Sequence, residues 1–311
     1  MTNPDRRAVA VLLAGACIIG VGPILVRLSQ AGPASAAFWR MAFALPLLAV
    51  LVARSPSPGR GAPPAALIAG ALFAADLACW HYGIRFTSVA NATVLSNLTP
   101  ILVTAAAWLA FGQKPSGRFL AAMALAMGGA AVMALARNGG AVLGENGRNP
   151  HLGDALSALT SVWYAGYFLT VQRARASLSA EKVMLISSAV AAPLLLVAAV
   201  ALGEPVFPAA AAGWAACAGL GLMHVSGQGA IAWALGRLPA ALITVVVLVQ
   251  PVVAGLLGWL VFGEALSPLQ GLGAAAALAG VALAQASEAG KTNGRRPSGR
   301  RPSDRAKDEV A

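Results

Sequence analysis

Apolar residues fall into long runs along this chain, and polar residues concentrate in the short segments between them. Runs of about 20 apolar residues are long enough to cross a bilayer as helices. Pro, Gly, Ser and basic residues punctuate the breaks, as in the segment 55–61. The pattern predicts ten spanning helices, over residues 8–28, 34–53, 63–83, 89–111, 118–137, 153–172, 182–203, 209–235, 239–262 and 267–286.

One stretch of the chain occurs twice. Pro, Trp, Leu, Phe, Gly and Ser recur at the same spacing in 100–116 and in 251–267, which lie 151 residues apart. The longest break, 138–152, leaves five predicted spans on either side, and because five is odd the second half must enter the membrane from the opposite face. The sequence therefore predicts an all-α integral membrane protein of two inverted five-helix repeats, 8–137 and 153–287, joined by an extracytoplasmic linker, 138–152.

The placement of Lys and Arg predicts the orientation of these helices. The formal net charge is +11, which on a folded soluble domain would indicate a nucleic-acid partner, but the basic residues lie in the breaks between runs and in the last segment. With the N-terminus in the cytoplasm, most of them fall on the cytoplasmic side. Both termini are thus expected there, and residues 288–311 are predicted to form a disordered basic tail that contacts membrane lipids.

Composition excludes an ordinary soluble enzyme. Residues of the set AVILMFWYC make up 58% of the chain and charged residues only 11%, against about a quarter charged in soluble domains. The sequence has no nucleophile elbow, zincin motif or phosphate-binding loop. The three cysteines have no metal-ligand spacing. We therefore predict no enzyme activity, no catalytic residue, no cofactor, no metal and no nucleic-acid partner.

Polar and aromatic residues inside the spans are the candidates for function, because a polar group in hydrocarbon is costly. They concentrate in spans three, four, six, eight and nine, whereas spans five and ten are almost purely apolar and are expected to form a scaffold or an interface. The predicted substrate-binding residues are Trp80, His81, Tyr82, Asn97, Trp163, Tyr164, Tyr167, Gln228 and Gln250. Asp76 and His81 are predicted proton-coupling residues, and Pro100 and Pro251 are predicted hinges.

Each candidate also has a purely structural interpretation. Asp76 is either a proton carrier or a hydrogen-bond acceptor within the helix bundle, and His81 is either cavity-lining or a satisfied core histidine. The aromatic residues of span six line a cavity or serve as packing residues. Trp39 and Arg40 lie near the edge of span two, where anchoring at the membrane interface competes with a role in binding substrate.

The chain resembles the EamA group of the drug/metabolite transporter superfamily. The resemblance rests on ten predicted spans in two halves, each with a Pro-led helix that ends in Trp-Leu-x-Phe-Gly and is followed by a Gly-rich helix. Arg40, in Phe-Trp-Arg, resembles an Arg near the start of the family's second helix. Glu264 fits the family pattern at the end of helix nine, whereas Gln113 departs from it in helix four. The aromatic-rich spans three and six resemble amino-acid exporters of the YddG kind.

The resemblance implies an exporter of small metabolites, most often amino acids, in the inner membrane of a bacterium. Aromatic faces bind apolar or cationic groups, while amides and hydroxyls bind carboxylates and amines. The expected mechanism is alternating access around a central cavity, driven either downhill or by protons through Asp76 or His81. The alternative is a proton-coupled exporter of lipophilic cationic drugs. A monomer and a homodimer are both compatible with the sequence.

Overall fold

The computed structural model of the protein describes residues 3–57, 59–61, 63–86, 92, 95–137, 149–263 and 266–294. All regular secondary structure in these residues is helical. The helices are α1 Asn3–Ile19, α2 Gly22–Leu28, α3 Pro33–Arg54, α4 Pro64–Phe86, α5 Thr99–Phe111, α6 Gly117–Arg137, α7 Pro150–Ala174, α8 Ala180–Ala201, α9 Ala211–Met223, α10 Gly229–Leu235, α11 Ala240–Val247, α12 Val249–Phe262 and α13 Pro268–Gly294, with a π-helical turn His224–Gln228 between α9 and α10.

Seven of the described helical segments are long and apolar enough to cross a membrane. They are Arg6–Leu28, Pro33–Arg54, Pro64–Gly83, Gly117–Ala136, Ala180–Ala201, Ala240–Phe262 and Pro268–Ser287. Helices suit this environment because they satisfy every interior backbone N–H and C=O within the segment itself. The predicted sixth and eighth spans coincide with α7 and with the continuous segment from α9 to α10, and the predicted fourth span lies partly outside the described residues.

Helices α5 and α12 are equivalent in the two halves, and they begin and end alike. The residue before α5, Leu98, has φ −75° and ψ −10°, and the residue before α12, Leu248, has φ −63° and ψ −4°. Each helix ends at a glycine with positive φ, Gly112 at 64° and Gly263 at 67°. This conformation is typical of a helix C-terminus and is easily reached only by glycine. The repeat in the sequence is therefore also a repeat in the structure.

The two repeats meet directly where α6 crosses α13. A β-carbon added to Gly129 would lie 2.3 Å from the amide nitrogen of Ala277, and one added to Gly280 would lie 2.4 Å from the amide nitrogen of Ala126. Gly129 and Gly280 occupy equivalent positions in the two repeats, as do Ala126 and Ala277. Reciprocal contacts of this kind indicate an approximate two-fold axis between the helices. The apolar fifth and tenth spans thus form an interface, as the sequence predicts.

Other helix contacts follow the same symmetry. Helix α4 packs on α7 and α8, and its equivalent in the second repeat, the segment from α9 to α10, packs on α1 and α3. Helix α3 packs on its own equivalent, α8. The polar residues of α3, α4, α7, α8 and the π-helical turn are consequently brought toward one another, while α6 and α13 lie apart from them.

Two boundaries differ from those predicted. Helix α7 begins at Pro150, inside the predicted linker, because the Asn149 side chain accepts a hydrogen bond from the Leu152 amide at 3.1 Å and caps the helix. Helix α13 continues to Gly294, beyond the predicted start of the tail at residue 288. Extending an existing helix costs much less than starting one. Residues 138–148 of the linker and 295–311 of the tail lie outside the described residues.

Candidate functional site

A hydrogen-bonded chain of polar side chains crosses the space between α3, the π-helical turn and α8. Nε of Arg40 donates to Nδ1 of His224 at 3.3 Å, and Nε2 of His224 lies 3.1 Å from Oγ of Ser188. Only an unprotonated ring nitrogen can accept from a guanidinium, so this bond requires the neutral His224 tautomer with its proton on Nε2. Nε2 of His224 then donates a hydrogen bond to Oγ of Ser188. The imidazole in turn fixes the orientation of the guanidinium.

Aromatic rings pack against one side of these hydrogen-bonded residues. Cζ of Arg40 is 5.4 Å from the ring centroid of Phe73. Phe73 in turn stacks on Tyr167, with centroids 4.6 Å apart, and on His224, at 5.6 Å. A guanidinium over an aromatic face is attracted by the ring quadrupole. The cation is therefore held from one side by Phe73 and from its Nε edge by His224.

Tyr164, Tyr167 and Gln228 line the same region. The two tyrosines are three residues apart on α7 and so share one face of the helix, and their nearly parallel rings have centroids 6.0 Å apart. Tyr167 is fully buried, and its hydroxyl accepts a hydrogen bond from Nε2 of Gln228 at 3.2 Å. Three of the predicted substrate-binding residues thus come together, although the Tyr167 hydroxyl already has a protein partner.

Asp76 lies on α4, three residues after Phe73 and therefore on the same face of the helix. Its side chain is buried, with 6% of its surface exposed. Phe73, on the same face, stacks on Tyr167 with centroids 4.6 Å apart and lies 5.4 Å from Cζ of Arg40. In the described part of the chain the side-chain hydrogen bond of Arg40 goes to His224, and the guanidinium forms no ion pair with the Asp76 carboxylate.

Four buried side-chain nitrogens have no hydrogen-bond partner among the residues that the structure describes, and all four belong to predicted substrate-binding residues. They are Nε2 of His81, Nδ2 of Asn97, Nε1 of Trp163 and Nε2 of Gln250. A buried polar group without a partner costs about 1–3 kcal/mol. Such groups are rare in folded proteins, and each calls for an explanation, such as a water or a ligand that binds there.

The His81 ring has a defined tautomer. Its Nδ1 lies 2.6 Å from the carbonyl oxygen of Leu77. A carbonyl only accepts hydrogen bonds, so Nδ1 carries a proton, and the unpaired Nε2 of the neutral ring is an acceptor. Trp80 packs edge-on against the imidazole, with centroids 4.9 Å apart. His81 therefore offers an acceptor, whereas Asn97, Trp163 and Gln250 offer N–H donors.

Tyr82 lies in a different environment from its neighbour His81. Its hydroxyl donates to Oε1 of Glu204. Glu204 also caps the N-terminus of α3, because its carboxylate accepts from the amides of Ala34 at 3.2 Å and Ser35 at 3.0 Å. We call Tyr82, Glu204 and Ser35 the Glu204 latch, since they join α4, the loop after α8, and α3. The sequence predicts Tyr82 as a substrate-binding residue, whereas the structure places its hydroxyl in this latch.

Pro100 and Pro251 lie just after the start of their helices. Helix α5 begins at Thr99 and α12 at Val249, so each proline is in a first helical turn. Because proline has no N–H, it cannot donate to the turn before it, and the helical pattern is interrupted just ahead of each proline, at Leu98 and at Leu248. The role of Pro100 and Pro251 as hinges stays a prediction.

Comparison with known proteins identifies the repeated unit. The EamA-like transporter family matches residues 6–135 and residues 151–285, one match for each half of the chain. This chain belongs to the EamA-like transporter family. A solved crystal structure matches 89% of this chain and 97% of its own chain, with a TM-score of 0.74 and 18% sequence identity. At that identity the likeness supports the fold alone. A comparison with curated proteins finds no match.

As an EamA-like transporter, the protein is a multi-pass membrane protein that moves small molecules, and its family consists of transporters rather than enzymes. In the described residues, no three side chains of His, Cys, Asp and Glu come close enough together to hold a metal ion. A depression of about 240 Å³ lies between α4 and α8, but it is lined by alanines and leucines and includes none of the predicted site residues.

Sequence reasoning about this EamA-like transporter missed part of the polar cluster. The sequence leaves Arg40 either an interface anchor or a substrate-binding residue, and Phe73, Ser188 and His224 are not among the predicted site residues. A signal for His224 exists in the sequence, because His, Ser and Gln alternate with small residues in 224–228. The segment adopts a π-helical turn, and such turns are frequent at functional sites.

Proposed function

We propose that this protein exports amino acids or similar zwitterionic metabolites from the cytoplasm across the inner membrane of a bacterium. The observation that supports this most directly is the set of four unpaired buried nitrogens at His81, Asn97, Trp163 and Gln250. Three N–H donors suit a carboxylate, and the acceptor at His81 suits an ammonium or hydroxyl group. A zwitterionic substrate offers partners for both kinds of group.

The aromatic surroundings favour a substrate that also has an apolar part. Phe73, Tyr164 and Phe168 form a continuous set of ring contacts with the buried Tyr167. Ligand sites are usually lined by apolar and aromatic groups, with a few polar groups that fix orientation. A neutral or aromatic amino acid has this combination, and the YddG-like subtype remains a prediction.

The proposed topology has ten membrane crossings in two inverted repeats, with both termini in the cytoplasm. Arg7 and Arg237 both lie at Trp233, with Cζ at 6.0 Å and 3.5 Å from the ring centroid. The start of the chain and the turn after α10 are therefore at one end of the helix bundle. Such a cluster of basic residues supports a cytoplasmic location for that end.

The proposed mechanism is alternating access, in which the interrupted helices move around a central site. The helix interruptions at Leu98 and Leu248 lie within one residue of equivalent positions in the two repeats, one residue after Asn97 and two residues before Gln250. Backbone breaks in paired helices are typical of transporter binding sites. Pro100 and Pro251 are proposed hinges, while the tightly packed α6 and α13 stay together. We favour downhill transport, driven by the concentration gradient of the substrate itself.

A proton-coupled exporter of lipophilic cations is the second candidate. One observation favours it: Asp76 is buried on the face of α4 that also has Phe73, whose ring stacks on Tyr167. An acid in an aromatic setting binds organic cations and can exchange them for a proton. This reading predicts that Asp76→Asn abolishes transport of the cation and its dependence on a pH gradient.

Counterflow into liposomes distinguishes the two candidates. Purified protein is reconstituted, loaded with an unlabelled amino acid at equal pH on both sides, and assayed for uptake of the same labelled compound. We expect saturable exchange that falls at least tenfold in Trp163→Ala and His81→Ala. Trp108→Ala is the matched control, because Trp108 is 49% exposed on the outer surface of the bundle.

The outcomes separate clearly. Exchange of an aromatic cation, without exchange of any amino acid, would support the second candidate and contradict amino-acid export. Equal loss in Trp108→Ala and Trp163→Ala would mean that the assay reports general damage rather than a central site. Repeating the assay with a pH gradient then separates downhill transport from proton antiport.

A further inference from the structure

The charge of Arg40 has an unusual environment for a residue of a membrane-spanning helix. Its Nε donates a hydrogen bond to His224, and its Cζ lies 5.4 Å from the ring centroid of Phe73. Among the described residues, the two terminal nitrogens make no hydrogen bond. Isolated charges at membrane depth are costly, and those that occur usually serve a function. The guanidinium is thus fixed in position while its bidentate edge is left available.

Asp76 is a buried acidic residue on the neighbouring helix α4. It lies one helical turn after Phe73, on the same face of α4, and the Phe73 ring centroid is 5.4 Å from Cζ of Arg40. The Asp76 carboxylate and the Arg40 guanidinium do not form an ion pair. Asp76 is buried and Arg40 is partly exposed, and a charged group in such surroundings is costly without a partner. A molecule with both charges can neutralise the two at once.

We propose that Arg40 and Asp76 bind the two ends of a zwitterionic substrate, with the carboxylate on the terminal nitrogens of Arg40 and the ammonium on Asp76. This inference rests on the proposed function and specifies its substrate class. A carboxylate matches the planar fork of a guanidinium in a bidentate pair. It has lone pairs left over for further donors, so a donor such as the Trp163 indole can contribute as well.

His224 and Ser188 act here as positioning residues. The bond from Arg40 to His224 fixes the rotation of the guanidinium, and Ser188 fixes the imidazole. Phe73 presents its ring face to the cation, and Tyr164 offers an apolar face for the side chain of the substrate. A residue that only anchored α3 at the membrane surface would not need this arrangement on three other elements.

Selectivity follows from the two charges. A substrate without an ammonium leaves Asp76 unpaired, and one without a carboxylate leaves Arg40 unpaired. Such unpaired buried charges are an effective means of rejecting the wrong ligand. The protein should therefore bind the zwitterion much more tightly than either singly charged analogue, and removal of one protein charge should shift that preference toward the analogue that lacks the matching group.

The test measures thermal stabilisation of purified protein by three probes that share one side chain: phenylalanine, phenethylamine and 3-phenylpropanoate. A ligand that binds only the folded state raises its stability according to its concentration and Kd. We expect the wild type to bind phenylalanine at least tenfold more tightly than the amine or the acid. Asp76→Asn should favour the acid over the amine, and Arg40→Gln should favour the amine over the acid.

Two further variants serve as controls, one for the bidentate contact and one for general damage. Arg40→Lys keeps the charge but not the bidentate fork, so it should bind more weakly and keep the wild-type order of preference. Ser226→Ala changes an exposed residue of the π-helical turn and should leave all three affinities unchanged. The unliganded melting temperature of each variant reports its folding, and if one charge variant cannot be purified, the order of preference of the other decides.

The outcomes distinguish this inference from the proposed function. If the wild type binds phenylalanine but both charge variants keep its order of preference, the assignment of Arg40 and Asp76 is wrong and amino-acid transport stands. If the wild type responds to phenethylamine and not to phenylalanine, amino-acid transport itself is wrong. If the two variants reverse preference in opposite directions, the charge pair is established.

Discussion

Replacing Gly129 with alanine tests whether the crossing of α6 and α13 holds the two repeats together. The added methyl group would lie 2.3 Å from the amide nitrogen of Ala277 and 2.6 Å from the carbonyl oxygen of Gly273, where ordinary contact begins at 3.4 Å. Both are backbone atoms, which cannot rotate away, so close packing requires the helices to separate by about 1 Å. Overpacking of this kind costs about 1–3 kcal/mol.

The chain supplies a matched control and a symmetry-related copy. Gly128 is the adjacent residue, and a β-carbon there meets nothing within 4 Å. Gly128→Ala should therefore leave stability unchanged or raise it by up to about 1 kcal/mol, because alanine favours a helix. Gly280→Ala, with its β-carbon 2.4 Å from the Ala126 amide nitrogen, should lose as much stability as Gly129→Ala.

The assay is unfolding of the purified protein in detergent, followed by tryptophan fluorescence against temperature and denaturant. Equal stability of Gly129→Ala and Gly128→Ala would refute the close crossing. The double variant Gly129→Ala/Gly280→Ala gives a second check. Both changes separate the same two helices, so the double variant should lose less stability than the sum of the losses in the two single variants. Strict additivity would indicate two independent local strains.

Three further predictions concern the ends of helices. Glu204→Ala removes the side-chain cap of α3 and should lower the free energy of unfolding by about 1–2 kcal/mol in the same assay. Gly112→Ala and Gly263→Ala place a β-carbon on residues with φ of 64° and 67°, so each should cost about 1 kcal/mol, whereas Gly117→Ala, where a β-carbon meets nothing within 4 Å, should not. Pro251→Ala should slow counterflow without changing substrate affinity if the break before α12 is a hinge; an unchanged rate would leave the proline a structural role only.

The helices and the repeat were predictable from the sequence because they depend on local information. A bilayer requires long apolar helical runs, so their positions can be read from hydrophobicity alone. The C-terminal glycines of α5 and α12 are likewise visible as a repeated Trp-Leu-x-Phe-Gly. The exact ends were less predictable, as the extension of α13 to Gly294 shows, because the end of a helix depends on small energy differences.

The composition of the candidate site was only partly predictable. Polar residues within apolar runs are conspicuous in the sequence, and this singled out His81, Asn97, Trp163 and Gln250, the four with unpaired buried nitrogens. Neighbouring positions were harder to separate. Tyr82 follows His81 directly, yet successive residues of a helix point about 100° apart, and the Tyr82 hydroxyl joins the Glu204 latch instead.

The sequence by itself determined the apolar helices, the duplication and the set of polar residues within apolar runs, which are costly in a membrane and therefore candidates for function. Only the tertiary structure decided which of them meet. Arg40 and His224 are 184 positions apart, and their hydrogen bond exists because α3 packs against the second repeat. Side-chain contacts between distant segments depend on how helices cross, and no local pattern of residues contains that information.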